Sequence, residues 1–296
     1  MRLISPRPIM LRALAPLTLA IAALGVAACG SSSSTEPTKL AVTISDTGKG
    51  KFTMDAPTQI DGGLVEMTLT NQGKEPHQGQ LVLLSGGHTV QDALSTIGSQ
   101  SSKIPSWLKL EGGVGVLAPG QSGTATMNLP AGNYGIIDLG GGPGGGKPPA
   151  LSGSQAEMTV GSGDTGDLPS TNATVTADKV GKDRYRWDVS GLKTGENTVT
   201  FNSKGSDAVH HIVAAPIVGN ASIGDVKNAL ESNSGPPPVN PKGIQETTVL
   251  DGGTSQTTQF DLKPGRYAFI CFLTDRDGGK PHFEEGLLKQ VTIPKS

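Results

Sequence analysis

Three residues in the last third of the chain could do chemistry together: His210, Cys271 and His282. One thiolate and two imidazoles are donors that suit copper or zinc. The sequence has only two cysteines, and the other, Cys29, lies at the end of an apolar leader. Cys271 is thus left without an internal disulfide partner. Such a thiol in an exported chain is buried and inert, reactive, bridged to another chain, or bound to a metal. The buried reading has its own support, because Ala268-Phe269-Ile270-Cys271-Phe272 is an apolar strand pattern and cysteine is a common core residue. His282 has a plain alternative too, as a loop histidine after the Lys280-Pro281 turn.

An internal repeat places these residues. Leu129-Pro130-Ala131-Gly132-Asn133-Tyr134 matches Leu262-Lys263-Pro264-Gly265-Arg266-Tyr267 at an offset of 133. The same offset carries Gly146-Lys147-Pro148 onto Gly279-Lys280-Pro281, Gly153 onto Gly286, His77 onto His210 and Asp92 onto Asp225. A single offset over that span implies two copies of one domain, residues 40–161 and 173–295, joined by a polar, glycine-containing linker at 162–172. At the chemical positions the copies differ. His77, Asp138 and Pro149 in the first copy stand where His210, Cys271 and His282 stand in the second. Only the second copy has the complete set.

The elements that must hold them read as β. Leu64 to Thr70 alternates apolar and polar residues before a turn at Asn71 to Lys74. Leu81 to Leu84, Asn197 to Phe201 and His211 to Ala215 read as further strands. Pro264-Gly265 is a turn entering an apolar aromatic strand. One short helix is predicted in each copy, over Thr89–Ile97 and Ser222–Leu230. Each starts on a hydroxyl cap with an aspartate three positions later. The glycine run from Gly140 to Gly146 follows no phosphate-loop pattern and reads as a hairpin. His77 and His88, with no cysteine near them, read as solvated, and Trp107 and Trp187 as core or interface residues.

The stretches Ala208-Val209-His210-His211-Ile212-Val213 and Cys271 to Leu287 resemble the cupredoxin family. The general resemblance covers both copies, and the ligand resemblance only the second. It implies an all-β fold class: two tandem cupredoxin-like Greek-key β-sandwiches, each with a short helical insertion. It also implies a copper ion on His210, Cys271 and His282, with zinc the lesser candidate. His211 takes the place of an outer residue that braces the cysteine loop, and Leu287 the axial position. Two features depart from the family. Ten residues separate Cys271 from His282, and no methionine follows Met158. The long loop leaves room for Asp275 or Asp277 to approach the metal, which would make a harder, more zinc-like site.

The N-terminus reads as an export leader. Arg2, Arg7 and Arg12 precede an uncharged apolar run that ends in Leu24-Gly25-Val26-Ala27-Ala28-Cys29. This resembles the bacterial lipobox, implying cleavage after residue 28, lipidation of Cys29, a polar tether over 29–39, and attachment to the outer face of the cell membrane. Removing three arginines and no acids takes the formal charge from −2 to −5. A mildly acidic chain has no basic patch for nucleic acid. With no Ser-His-Asp or paired-carboxylate set legible, no enzyme activity is expected. The expected role is electron transfer or copper handling with a redox or copper-delivery protein as partner. The alternative is a metal-free binding or structural lipoprotein.

Overall fold

The computed structural model describes residues 36–48, 50–99, 103–140, 147–232 and 235–295. The leader, Cys29 and most of the tether lie outside the described residues, as does Gly141–Gly146 of the glycine run. From Glu36 onward the described chain is all-β apart from two α-helices and two short 3-10 turns, and it forms one compact unit.

The strands of the first copy alternate because one face of each is buried. Leu40, Val42 and Ile44 of Thr38–Gly48 pack with Met67 and Leu69 of Gly63–Asn71 and with Leu81, Met127 and Ile136. The second copy repeats this with Ala173, Val175 and Ala177 of Ala173–Gly181, packed around Trp187, Phe201, Phe260 and Phe269. Each fully buried side chain of this size contributes about 1.5–3 kcal/mol. The repeat reaches further back than the sequence matches show. In the first hairpin of each copy Asp46 faces Phe52 and Lys179 faces Tyr185, again 133 positions apart.

The copies are fused through their sheets. One sheet runs Arg184–Ser190, Ala173–Gly181, Gly195–Ser203, Ser255–Leu262, Ser122–Leu129, Gly63–Asn71, Thr38–Gly48, Lys51–Asp55. It crosses between copies where Gln256 pairs with Met127 and Thr257 with Thr126. A second sheet holds the remaining strands of copy one: Leu108–Leu117, His77–Leu84, Gly132–Ile137, Gln155–Val160 and Gln59–Ile60. Two short strands of copy two, Leu250–Asp251 and then Val209–His210, extend its edge. Four strands of copy two (Gln245–Glu246, Val213–Pro216, Gly265–Ile270, Leu288–Ile293) make a third sheet. Of the strand expected over His211–Ala215, only Val213–Ala215 is extended, as part of Val213–Pro216, and it is not continuous with the strand Val209–His210 before it. The break falls at Ile212, whose N–H bonds the Thr247 hydroxyl at 2.9 Å and whose carbonyl accepts from Thr247 N. There the chain leaves one sheet for the other.

Side chains reinforce the join. Gln80 bonds the backbone of Val249 in both directions, at 3.0 and 2.7 Å. Arg276 bonds the carbonyl of Leu108 and pairs with Asp251 at 3.3 Å. Glu111 is buried beside Asp251, and burial together with that neighbour pushes its carboxyl up to about 7. The linker lies along copy one, where the Asn128 amide both donates to and accepts from Gly166. The helices span Val90–Gly98 and Ile223–Ser232. Thr89 and Asp92 close a capping box on the first, and Ser222 and Asp225 make the same reciprocal bonds on the second.

Candidate metal centre

Cys271 follows the strand Gly265–Ile270 directly, and its backbone ties down the loop behind it. Cys271 N–H donates to Leu287 O at 3.1 Å, Phe283 N–H to Cys271 O at 3.0 Å, and Leu287 N–H to His282 O at 2.8 Å. These bonds fold Pro281–Leu287 back over the cysteine. The Cys271 sulfur then lies 3.7 Å from His282 Nδ1. His210 comes from the shared sheet edge, and its ring centre is 4.9 Å from that of His282. All three side chains are fully buried.

The two histidines differ in how they are held. His282 Nε2 faces Asp275 Oδ1 at 3.3 Å, leaving Nδ1 toward the sulfur. Asp275 is itself fixed by the Tyr185 hydroxyl and by Lys179 Nζ at 2.9 Å. Burial works against ionising Asp275, but those two bonds outweigh it and hold its carboxyl below the usual range. Tyr185 also lies against His282, ring centres 4.2 Å apart, and edge-on to His210 at 5.4 Å. His210 Nδ1 meets the Ser203 hydroxyl at 2.9 Å, while its Nε2 is buried without a hydrogen-bond partner.

Burial makes every donor neutral. It pushes the Cys271 thiol up to about 12, against the backbone N–H groups of His211 and Leu273. It drives His210 down to about 2, helped by the charges of His282, His211 and Lys179, and His211 down to about 4. His282 falls by burial as well, with Asp275 opposing. Neutral imidazoles offer lone pairs. The thiol becomes a donor by giving up its proton, which a metal makes favourable.

The sequence-derived residues fall as follows. His211 Nε2 accepts from Phe272 N–H at 3.1 Å, one residue beyond Cys271. Leu287 is fully buried in the same apolar cluster as Cys271. Asp275 meets the far nitrogen of His282, and Asp277 lines a surface cavity beside Trp107. The sequence reading overlooked Ser203, Tyr185 and Lys179. Among the described residues, no group of three or more His, Cys, Asp or Glu side chains converges as one metal ion would require. Cys271 and His282 are at ligand spacing, since bonds of about 2.0–2.3 Å allow donors up to about 4.3 Å apart. His210 supplies an unsatisfied nitrogen nearby but holds Ser203 with the other.

His77 corrects an expectation. It is fully buried rather than solvated, with Nδ1 2.5 Å from Asp138 Oδ2. Asp138, at the position of Cys271, also accepts from Ser154 Oγ at 2.9 Å, from Gln78 N at 3.2 Å and from Gly140 N at 3.1 Å. Applying the repeat offset to His210 and Cys271 would have paired these two residues in advance.

No family model matches the sequence, and no curated protein matches it. Solved structures similar to it include multicopper oxidases, a blue copper oxidase and auracyanins. A multicopper oxidase is 15% identical over 86% of this chain and 88% of that one, with a TM-score of 0.24. Auracyanin B is 21% identical over 41% of this chain and 87% of its own, with a TM-score of 0.27. A reduced auracyanin from the photosynthetic bacterium Roseiflexus castenholzii is 20% identical over 40% of this chain and 95% of its own, at 0.26. At such scores the fold rests on the strand order of this chain itself.

Proposed function

We propose that the second copy binds one copper ion through Cys271, His282 and His210, and serves one-electron transfer or copper handling. The observation that carries this reading is the fully buried pair Cys271–His282, 3.7 Å apart, beside the unpartnered Nε2 of His210. Bound copper would supply a one-electron couple. The chain's own part is to exclude water by burial, to aim His282 Nδ1 through Asp275, and to brace the cysteine loop through His211. Binding all three donors to one ion requires His210 either to release Ser203 or to use Nε2. The same reading includes lipidation at Cys29, an extracytoplasmic membrane location and a protein partner for electrons or copper. It includes no catalysis.

The metal-free alternative, a binding or structural module, draws on the lack of a converged set of three donors among the described residues. One titration decides between them. The full chain loaded with Cu(II) is expected to show an intense thiolate-to-copper absorption band that disappears in Cys271→Ser. Absence of both the band and bound copper in the unsubstituted chain sinks the copper reading. Mass spectrometry of the mature N-terminus tests the lipid on Cys29.

A further inference from the structure

We infer that the first copy belongs to the candidate site of the second: it positions the loop between Cys271 and His282, with Arg276 as the anchor. Its bearing on copper rests on the reading proposed above, whereas its hold on the loop does not. This loop is where the sequence departs from the cupredoxin pattern, with ten residues between the two donors. The added length reaches copy one. Arg276 O accepts from Ile104 N–H at 2.8 Å, and Arg276 N–H donates to Asp207 O at 2.9 Å. Both terminal nitrogens of the guanidinium bond Leu108 O. They also face the two oxygens of Asp251, at 3.3 and 3.4 Å. Asp251 in turn accepts from Leu110 N–H at 3.1 Å. Ile104, Leu108 and Leu110 are residues of copy one. The Arg276 side chain is 11% exposed and that of Asp251 8%. A planar, permanently charged fork fits a carboxylate and a carbonyl together in a way that a lysine does not.

The anchor sits between the donor-bearing segments. Three residues before it, Leu273 packs against the apolar clusters of both copies, and its carbonyl accepts from His282 N–H at 2.7 Å. One residue before it, Asp275 meets His282 Nε2. Asp275 is drawn to Lys179 and Tyr185 of copy two, and Arg276 to copy one. Neighbouring residues thus fix the loop from two sides, and with it the ring of His282. His210 depends on the same platform. Asp207, bonded by the Arg276 N–H, lies three residues ahead of it. Val209, next to His210, is buried in the apolar cluster of copy one that includes Leu84, Leu108 and Leu110. His210 itself pairs with Leu250, which pairs with Glu111 of copy one. A loop that contains Asp277-Gly278-Gly279 opens locally unless it is tied down, and Arg276 is the tie.

The test uses the full chain carrying Cys29→Ser, which leaves Cys271 as its single thiol, first without metal. Arg276→Gln should speed the labelling of Cys271 by an aromatic disulfide reagent about tenfold or more, through local opening once the charged hydrogen bonds are lost. Amide exchange should speed likewise at Ile104, Cys271 and His282, whose N–H groups bond within or onto the loop. It should rise by a smaller factor at Val199, buried in the core of copy two. Arg276→Lys should fall between the parent and Arg276→Gln. The double variant Asp251→Asn/Arg276→Gln leaves no carboxylate stranded and serves where the single change unfolds the chain. Equal acceleration at the loop and at Val199, or none at the loop, makes Arg276 a stability contact alone and overturns the inference. With Cu(II), Arg276→Gln should weaken binding about 10–100-fold and shift the thiolate-to-copper band, with partial rescue by lysine. Copper bound with unchanged affinity and band overturns the positioning role as well. A parent chain that binds no copper ends the copper reading, and the metal-free rates still decide whether copy one holds the loop.

Discussion

At one position in the shared backbone scheme the first copy buries Asp138 and the second buries Cys271. The surrounding main-chain bonds are the same: Asp138 N to Ser154 O and Cys271 N to Leu287 O, Ala150 N to Asp138 O and Phe283 N to Cys271 O. The side chains around them are not. Asp138 has the His77 ring, the Ser154 hydroxyl and two N–H groups on its oxygens, whereas Cys271 has His282 at 3.7 Å and the aliphatic Leu287 in its cluster. Across the hairpin, Asp46 in one copy is Lys179 in the other. The backbone accepts either interior. The first fills the position with a carboxyl group that takes four hydrogen-bond donors, the second with a neutral thiol against an imidazole. Each interior also keeps one buried imidazole Nε2 without a hydrogen-bond partner, His77 in the first and His210 in the second. That contrast places the thiol and imidazole pair in the second interior alone.

The contrast is sharpest in stability without metal. Asp138→Ala should cost about 3–5 kcal/mol, because it strands His77 and three other donors in the interior. Cys271→Ala should cost about 1–2 kcal/mol. Denaturant unfolding of the metal-free proteins measures both, and equal losses would erase the distinction. Where the copies meet, Glu111 provides a pH-dependent effect. Its folded carboxyl is raised to about 7 from an ordinary 4.5, so the folded state binds the extra proton. Stability is then full below about pH 4.5, falls as pH rises to about 7, and stays lower beyond. Glu111→Gln should abolish that slope and add about 3 kcal/mol at pH 8. A slope retained in the variant would assign it elsewhere.

Two smaller effects should be equal in the two halves. Gly153 (φ 107°) and Gly286 (φ 126°) lie against the carbonyls of Phe52 and Tyr185, where a Cβ would approach within 2.4 and 2.1 Å. Alanine at either should lower the unfolding free energy by about 2 kcal/mol or more. A large inequality would break the equivalence of the two turns. Thr89→Ala and Ser222→Ala should each cost about 1 kcal/mol through loss of a helix cap, measurable as matched small shifts in melting temperature.

The duplication was legible where a side chain must do the same local task twice. Tyr134 and Tyr267 each send a hydroxyl back four residues, to Pro130 O and Lys263 O, and the turn before each strand keeps its glycine. The first hairpins were not legible as a repeat, because Asp46 and Lys179, or Phe52 and Tyr185, share a register and no identity. The burial of His77 was missed because its partner lies 61 residues away. It becomes visible only when the offset is applied to chemistry as well as to matching letters. The helix positions were readable from their caps to within one or two residues. The joined sheets left no trace in the sequence, since a β ladder is built from backbone groups that nearly every residue carries.

The pairing of Ser122–Leu129 with Ser255–Leu262 has a consequence in time. Synthesis delivers the first strand some 133 residues before the second. At roughly 5–20 residues per second that interval is on the order of ten seconds. Throughout it the first copy presents an unpaired strand edge, a template on which another nascent chain can add. The arrival of Ser255–Leu262 covers it. The second half thus acts as an intramolecular guard for the first, and a chain truncated ahead of Ser255 would emerge permanently unguarded.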